Sequence, residues 1–257
     1  MAEVTPIELA WTQISEIGER ATNQDAVGEA SRGQLSCFVL ADGAGGHAGG
    51  EVASGVVVGA VIDSFQNAPA FSDAALLSYA QCAITALAKR KQDEPRYADM
   101  STTVVALLID CANSQALWVH LGDSRLYLFR NARLHAMSKD HSLTQQLIDA
   151  GYAKAEHLRT HPQRNILFAA IGAEGDTDLE LSAGATRLEP GDTLLLCSDG
   201  LWEWVLESDM EQTLARACDT REWLAAMCAL AQTNILATTK VRDNYSAYAI
   251  RVQQAKA

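Results

Sequence analysis

TTVVALLIDCANSQALWVHLGDSRLYLFRNARLHA, residues 102–136, decides the architecture. Its apolar runs at 102–110, 116–121, 125–130 and 133–136 are separated by Cys-Ala-Asn-Ser with Gln115, Gly-Asp-Ser and Asn-Ala. Connections this short join antiparallel neighbours, because a parallel pair needs a crossover of about a dozen residues or more. The stretch is therefore expected to be an antiparallel meander.

On the N-terminal side, residues 7–14 alternate as a strand does, and the run 35–41 ends at Asp42-Gly43, a strand followed by a sharp turn. Apolar and small residues then recur at helical spacing over 47–65 (Val52, Val56, Ala60) and over 73–90 (Leu76, Ala80, Ala83, Leu87). On the C-terminal side the pattern predicts a helix over 142–150, an irregular polar stretch to about Asn165, and strands near 178–183 and 193–198. Two helices follow, started by the capping-box pairs Ser208 with Glu211 and Asp219 with Glu222, and a last strand covers 245–252. Strand runs interleaved with helix pairs predict an α+β protein, an α-β-β-α sandwich of two antiparallel sheets between helix layers.

With 257 residues, 48 % of them hydrophobic, the chain can bury one sizeable core, and no linker, repeat or low-complexity tract divides it. A single domain over 1–257 is expected. The 20 basic and 32 acidic residues give a formal charge of −12, which argues against a sequence-independent grip on nucleic acid or an anionic membrane. The first residues lack a basic segment followed by an apolar one, and the longest apolar stretch, 52–62, is too short to span a bilayer, so the expected location is cytoplasmic. The six cysteines form no C-x-x-C pair and mostly have apolar neighbours, as reduced buried thiols do.

Asp25, Asp42, Asp123, Asp199 and Asp243 each stand beside Gly or Asn, or within two residues of an Asn, and four of them lie at an end of an apolar run. Hard divalent cations prefer carboxylates and water, and ligands that converge from strand ends and tight turns suit an oxygen-ligand metal site. One rival reading is dinucleotide binding, since Gly43, Gly45 and Ala48 satisfy G-x-G-x-x-A with Asp63 about twenty residues on. Asp42 opposes it, because it puts a carboxylate where a pyrophosphate would sit, and Asp63 continues a helical pattern. Turn chemistry alone explains the Gly and Asn of these segments but not the Asp at the head of each.

Gly18-Glu-Arg20-Ala-Thr-Asn23-Gln-Asp25, Asp42-Gly-Ala-Gly-Gly-His47, Ser101-Thr-Thr103, Gly122-Asp-Ser-Arg125, Asp140-His-Ser142, Ala170-Ile-Gly172, Cys197-Ser-Asp-Gly200 and Asp243-Asn244 occur in this order. The ordered set resembles the bacterial PP2C-type (PPM) metal-dependent serine/threonine protein phosphatases over almost the whole chain. That resemblance implies the same sandwich fold, two core Mn²⁺ or Mg²⁺ ions and a third outer one, and hydrolysis of phosphoserine and phosphothreonine in proteins by a metal-bridging hydroxide. It implies phosphoprotein substrates and a bacterial Ser/Thr kinase that the enzyme opposes; the alternative is a weakly catalytic regulatory module that binds phosphoproteins. Persistence of Asp42, Asp199 and Asp243 favours catalysis.

Carried over by position, Asp42 looks like the bridging carboxylate, with the Gly43 carbonyl on one ion and Asp199 and Asp243 on the other. Asp123 resembles a ligand of the outer ion, Asp25 an acid that holds metal-bound water, and Arg20 the phosphate clamp. Gln24 and Ala169 depart from the pattern, since relatives carry Glu and Arg there. His47 is read as pinning the following helix, and His141 and His161 as local structure. The polar stretch at about 143–169 is expected to form a flap whose Arg159 and Arg164 face substrates.

Overall fold

The computed structural model describes residues 6–44, 49–174 and 178–255. One sheet has the order β1 (Ile7–Glu16), β12 (Tyr245–Gln254), β11 (Thr193–Cys197), β7 (Arg125–Arg130) and β8 (Arg133–Met137), every pair antiparallel. The other runs β10 (Thr186–Arg187), β6 (Gln115–Leu121), β5 (Val104–Asp110), β3 (Leu35–Ala44) and β2 (Asp25–Arg32), again antiparallel. Two short strands extend it: β4 (Ser101–Thr102) on β3 and β9 (Glu180–Leu181) on β6.

The two sheets face each other. Phe38, Leu40, Val105, Leu107, Leu126, Leu128, Leu194, Leu196, Tyr248 and Ile250 form the layer between them. The alternate residues of the same strands point outward under helices. Val104, Ala106 and Leu108 pack with α1 (Gly50–Asn67) and α2 (Asp73–Asp93), through Val57, Val61, Phe65, Leu76 and Leu87. Leu195 and Cys197 pack with α4 (Asp199–Trp202), α5 (Glu207–Arg216) and α6 (Thr220–Leu236), through Trp202, Met210, Trp223 and Met227. Central strands covered on both faces need apolar residues at every position, which is why β5 reads as an unbroken run. Each such side chain contributes about 1.5–3 kcal/mol by leaving water. The α-β-β-α sandwich expected from sequence is the one observed.

Three local expectations differ. Residues 102–136 are not one meander: β5–β6 and β7–β8 pair as hairpins, but β6 and β7 lie in different sheets, so Gly122-Asp-Ser crosses the sandwich. β2 has no counterpart in the sequence pattern: Asp25-Ala-Val-Gly-Glu-Ala-Ser-Arg32 is short of apolar residues because it is an edge strand, covered on one side by α1. Ser208 does not cap a helix. It lies inside α5, whose N-cap is Leu206, and Glu211 instead accepts from the Leu134 amide at 2.8 Å and pairs with Arg133. The other capping pair holds, with Asp219 accepting from the Glu222 amide at 2.8 Å.

The segment 143–169 contains α3 (Leu143–Asp149), capped by Ser142, and a short 3-10 turn at Ala155–Arg159. Its arginines turn inward. Arg159 donates to Glu207 and to the carbonyls of Trp202 and Val205, and Arg164 pairs with Glu203. Gly45 to Ala48, including His47 and most of the G-x-G-x-x-A match, lie outside the described residues.

Candidate metal centre

The cleft opens where the C-terminal end of β3 meets that of β11. Asp42 and Gly43 lie on β3, Asp199 follows β11 as the first residue of α4, Asp123 sits in the turn between β6 and β7, and Asp243 precedes β12. These five, with Arg20, Gln24, Thr103, Asn165, Leu167 and Asn244, line one cavity of about 180 Å³. Asp25 stands behind the lining, buried, directly across the β2–β3 ladder from Asp42. The sequence-predicted residues thus gather in one place from both sheets.

Asp42 and Asp123 are fixed through their backbones. The Asp42 amide donates to Thr103 Oγ1 at 2.9 Å, while its carbonyl accepts from Thr102 Oγ1 and from the Thr103 amide, both at 2.9 Å. Beyond Asp42 a glycine is required, since a Cβ on Gly43 would lie 2.0 Å from the Gly50 carbonyl oxygen. Gly200 answers it on the other sheet, where a Cβ would lie 1.9 Å from the Asn244 carbonyl oxygen. The carbonyl oxygen of Asp123 takes the Trp202 Nε1 proton at 2.8 Å.

Several residues of the site have roles that sequence reading did not assign. Asn244, known there only as the neighbour of Asp243, uses its whole amide: Oδ1 accepts from the Gln24 amide at 2.9 Å, and Nδ2 donates to the carbonyls of Ile17 and Thr22 at 2.8 and 3.0 Å. It fastens the 17–24 loop, which carries Arg20, to the start of β12. Ser198 donates to Asp25 Oδ2 at 2.7 Å. Gln24 serves through its backbone, its carbonyl accepting from the Gly43 amide at 3.0 Å and from Ser54 Oγ at 2.6 Å. Ala169, the other departure, is buried in the core beneath the first helix pair.

The electrostatics ask for cations. Burial, then the neighbouring carboxylates of Asp25, Asp199, Asp123 and Asp243, push the Asp42 carboxyl well above its ordinary range. Burial and then Asp199 do the same to Asp123. Asp199 rises to about 7 through burial and the charges of Asp243 and Glu203, and Asp25 rises to about 6 through burial, against a lowering hydrogen bond from Ser198. Arg20 is the only cationic side chain lining the cavity among the described residues, and it is spent on Asp243 at 2.5 Å. Asp25 Oδ1 is buried with no hydrogen-bond partner among those residues. Carboxylates forced together with one exposed arginine as countercharge, and with no sulfur or imidazole in the lining among the described residues, fit hard divalent cations with oxygen ligands.

Comparison with known proteins agrees with this chemistry. The family model described as protein phosphatase 2C matches residues 12–243. The serine/threonine phosphatase stp of Listeria monocytogenes serotype 4b (strain F2365) is 36% identical over 181 residues, 68% of this chain and 70% of that protein. PstP, a serine/threonine protein phosphatase of Mycobacterium tuberculosis (strain ATCC 25618 / H37Rv), is 35% identical over 216 residues, 83% of this chain and 40% of its own length. The crystal structure of the catalytic domain of PstP in complex with two manganese ions superposes with a TM-score of 0.81 at 29% identity, covering 97% of this chain and 100% of that one.

Proposed function

The chain belongs to the protein phosphatase 2C family, and on that premise we propose how its acidic cleft serves a protein serine/threonine phosphatase. The cofactor is Mn²⁺ or Mg²⁺. When bound, such ions acidify water near neutral pH and offset charge on phosphoryl oxygens.

The residues divide the rest of the work. Asp42, the acid facing most of the other carboxylates, would hold the two core ions together with the Gly43 carbonyl, Asp199 and Asp243. Asp123, in the lining of the same cavity, would hold an outer third ion. Asp25 lies directly across the β2–β3 ladder from Asp42 with one oxygen unsatisfied among the described residues, suited to orient water rather than to touch substrate. Arg20 offers a planar fork for two phosphoryl oxygens, and its exposed position leaves it free to exchange Asp243 for a ligand. Asn165 and Leu167 bring the 143–169 segment to the cavity wall, which supports its role as a flap of the single domain.

The partner implied by this chemistry is a serine/threonine kinase whose products the enzyme reverses. Among the described residues no helix is long and apolar enough to cross a membrane. The free cysteines suit a reducing compartment, and we place the protein in the cytoplasm.

The observation that carries the reading is the convergence of Asp42, Asp123, Asp199 and Asp243 with one arginine as countercharge. Phosphate release from a phosphothreonine peptide, measured with Mn²⁺ and again after chelation, tests it. Chelator-sensitive release is expected; tight peptide binding without release under both conditions would identify a regulatory module instead.

A further inference from the structure

Next to the acidic cleft, His120, His141 and Glu180 bring three ligand-type atoms within 4.8 Å of one another. A cation there would need lone pairs that converge. The two imidazoles are instead stacked, centroids 4.8 Å apart and planes 25° from parallel, so their in-plane lone pairs run side by side. His120 Nε2 lies 2.8 Å from the Lys139 carbonyl oxygen, which can only accept, and therefore carries that ring's proton. His141 Nδ1 accepts from the Gly122 amide at 3.0 Å, so the proton of the neutral ring is on Nε2, 3.3 Å from Glu180. His141 is a donor towards Glu180, not a ligand.

The geometry points to a different role, and we propose that His141 is a positioning residue that sets the Asp123 turn, and through it the outer cation site. This rests on the assignment of Asp123 to that cation. His141 clasps Gly122 from both sides, its own amide donating to the Gly122 carbonyl at 2.9 Å while its ring receives the Gly122 amide. Gly122 has φ +102°, and a Cβ there would lie 2.6 Å from Thr103 Cγ2. The chain must therefore turn at a glycine whose inward amide needs an acceptor, and the ring nitrogen supplies it. With Trp202 holding the Asp123 carbonyl, the backbone of the ligand is gripped on both sides.

The same residue reaches the rim. The His141 carbonyl accepts from the Phe168 amide at 3.0 Å, and its ring meets Phe168 edge-on at 5.6 Å, one residue from Leu167 in the cavity wall. Asp123 and the 165–168 rim thus share one support.

Two substitutions separate the nitrogens, because the amide oxygen of Asn can take the place of Nδ1 and the amide end of Gln that of Nε2. Mn²⁺ titration by calorimetry and hydrogen exchange of the Gly122 amide in the metal-free protein are the readouts. His141→Gln is expected to weaken the weakest Mn²⁺ site by about tenfold, as loss of a ligand's hydrogen-bonded support does, and to speed Gly122 exchange while leaving the tighter sites unchanged. His141→Asn is expected to restore both. Wild-type values in the Gln variant, or an Asn variant as impaired as Gln, would overturn the proposal. Ring ¹⁵N shifts of the wild-type protein test it without any variant: a protonated Nδ1 on His141 would also overturn it. Asp123→Ala separates the two claims. If it spares the weakest site, the outer-cation assignment fails; if it removes that site while His141→Gln does not weaken it, the positioning role fails alone.

Discussion

Each sheet delivers an aspartate to the cleft from the end of a central strand, and the two corners are built alike but charged differently. Asp42-Gly43 and Asp199-Gly200 both place a glycine where a Cβ would strike a backbone carbonyl, at 2.0 and 1.9 Å. Close approach of main chains, Gly43 to Gly50 and Gly200 to Asn244, is what brings the loops around the acids. The charge settings diverge. Asp42 faces the carboxylates of Asp25, Asp199, Asp123 and Asp243, whereas Asp199 faces Asp243, Glu203 and Asp25 and has the charge of Arg164 in its favour. The acid at the electrostatic centre is thus on β3, and the flanking acid is on the α4 side.

If that difference is functional, Asp42→Ala should cost more than Asp199→Asn. Removing Asp42 should lower kcat on a phosphothreonine peptide by about a thousandfold or more, the scale of losing a preorganised electrostatic group. Asp199→Asn should leave more residual activity, recoverable in part at high Mn²⁺. Equal losses at saturating metal would erase the distinction between centre and flank. Both metal-free variants should melt no lower than the parent, because each removes a buried acid from like-charged neighbours.

The corners also predict how stability responds to pH. Asp25 and Asp199 have folded values raised from 3.8 to about 6 and about 7, so between pH 4 and 7 the folded chain holds more protons than the unfolded one. Stability of the metal-free protein must then fall as pH rises through that window and level off above it. Each pKa unit is worth about 1.4 kcal/mol. Divalent cations pair with the ionised forms, so the rise in Tm on adding Mn²⁺ should be larger at pH 8 than at pH 5.5. A metal-free Tm that climbs between those values would show that the acids are not held together as described.

The glycines test the shared part of the design. Gly43→Ala and Gly200→Ala should each destabilise the protein by about 1–3 kcal/mol through overpacking against backbone that cannot step aside. Urea unfolding reads the loss. Gly33→Ala is the contrast, since among the described residues nothing lies within 4 Å of a Cβ there, although its φ of +59° carries a smaller strain of its own.

Both corners were legible in the sequence because an apolar run ending in Asp-Gly is a local signal. The meander was legible only in its two hairpins, β5–β6 and β7–β8; the three residues between β6 and β7 carry the chain from one sheet to the other, a step that loop length alone does not distinguish from a hairpin. What escaped was set by distant partners. β2 is half covered by α1, and Gly28 sits where a Cβ would meet Val58 at 2.6 Å, so its strand character depends on a helix thirty residues away. Glu211 has the spacing of a capping box, but Arg133 and the Leu134 amide claim its carboxylate. Nothing in the sequence distinguishes the amide of Asn244, which joins three backbone groups around the site, from that of an ordinary turn residue. Arg159 and Arg164 looked like substrate contacts because a polar stretch hides which of its charges find partners; Glu207 and Glu203 take them.

Arg20 offers the smallest and most discriminating effect. Its guanidinium lies 2.5 Å from Asp243 with the side chain 53% exposed, and a surface pair of this kind contributes about 0–1 kcal/mol. Arg20→Ala should therefore leave Tm nearly unchanged. Because Asp243 belongs to the flanking corner, the loss should spare the centre at Asp42 and act on substrate capture. KM for a phosphopeptide should rise about tenfold, the weight of one charge-assisted bidentate contact, with kcat little altered. Arg20→Lys keeps the charge but not the fork and should recover only part of the loss. If kcat instead collapsed at constant KM, the arginine would be acting on the transition state, and the corner that carries Asp243 would be as central to the chemistry as the one that carries Asp42.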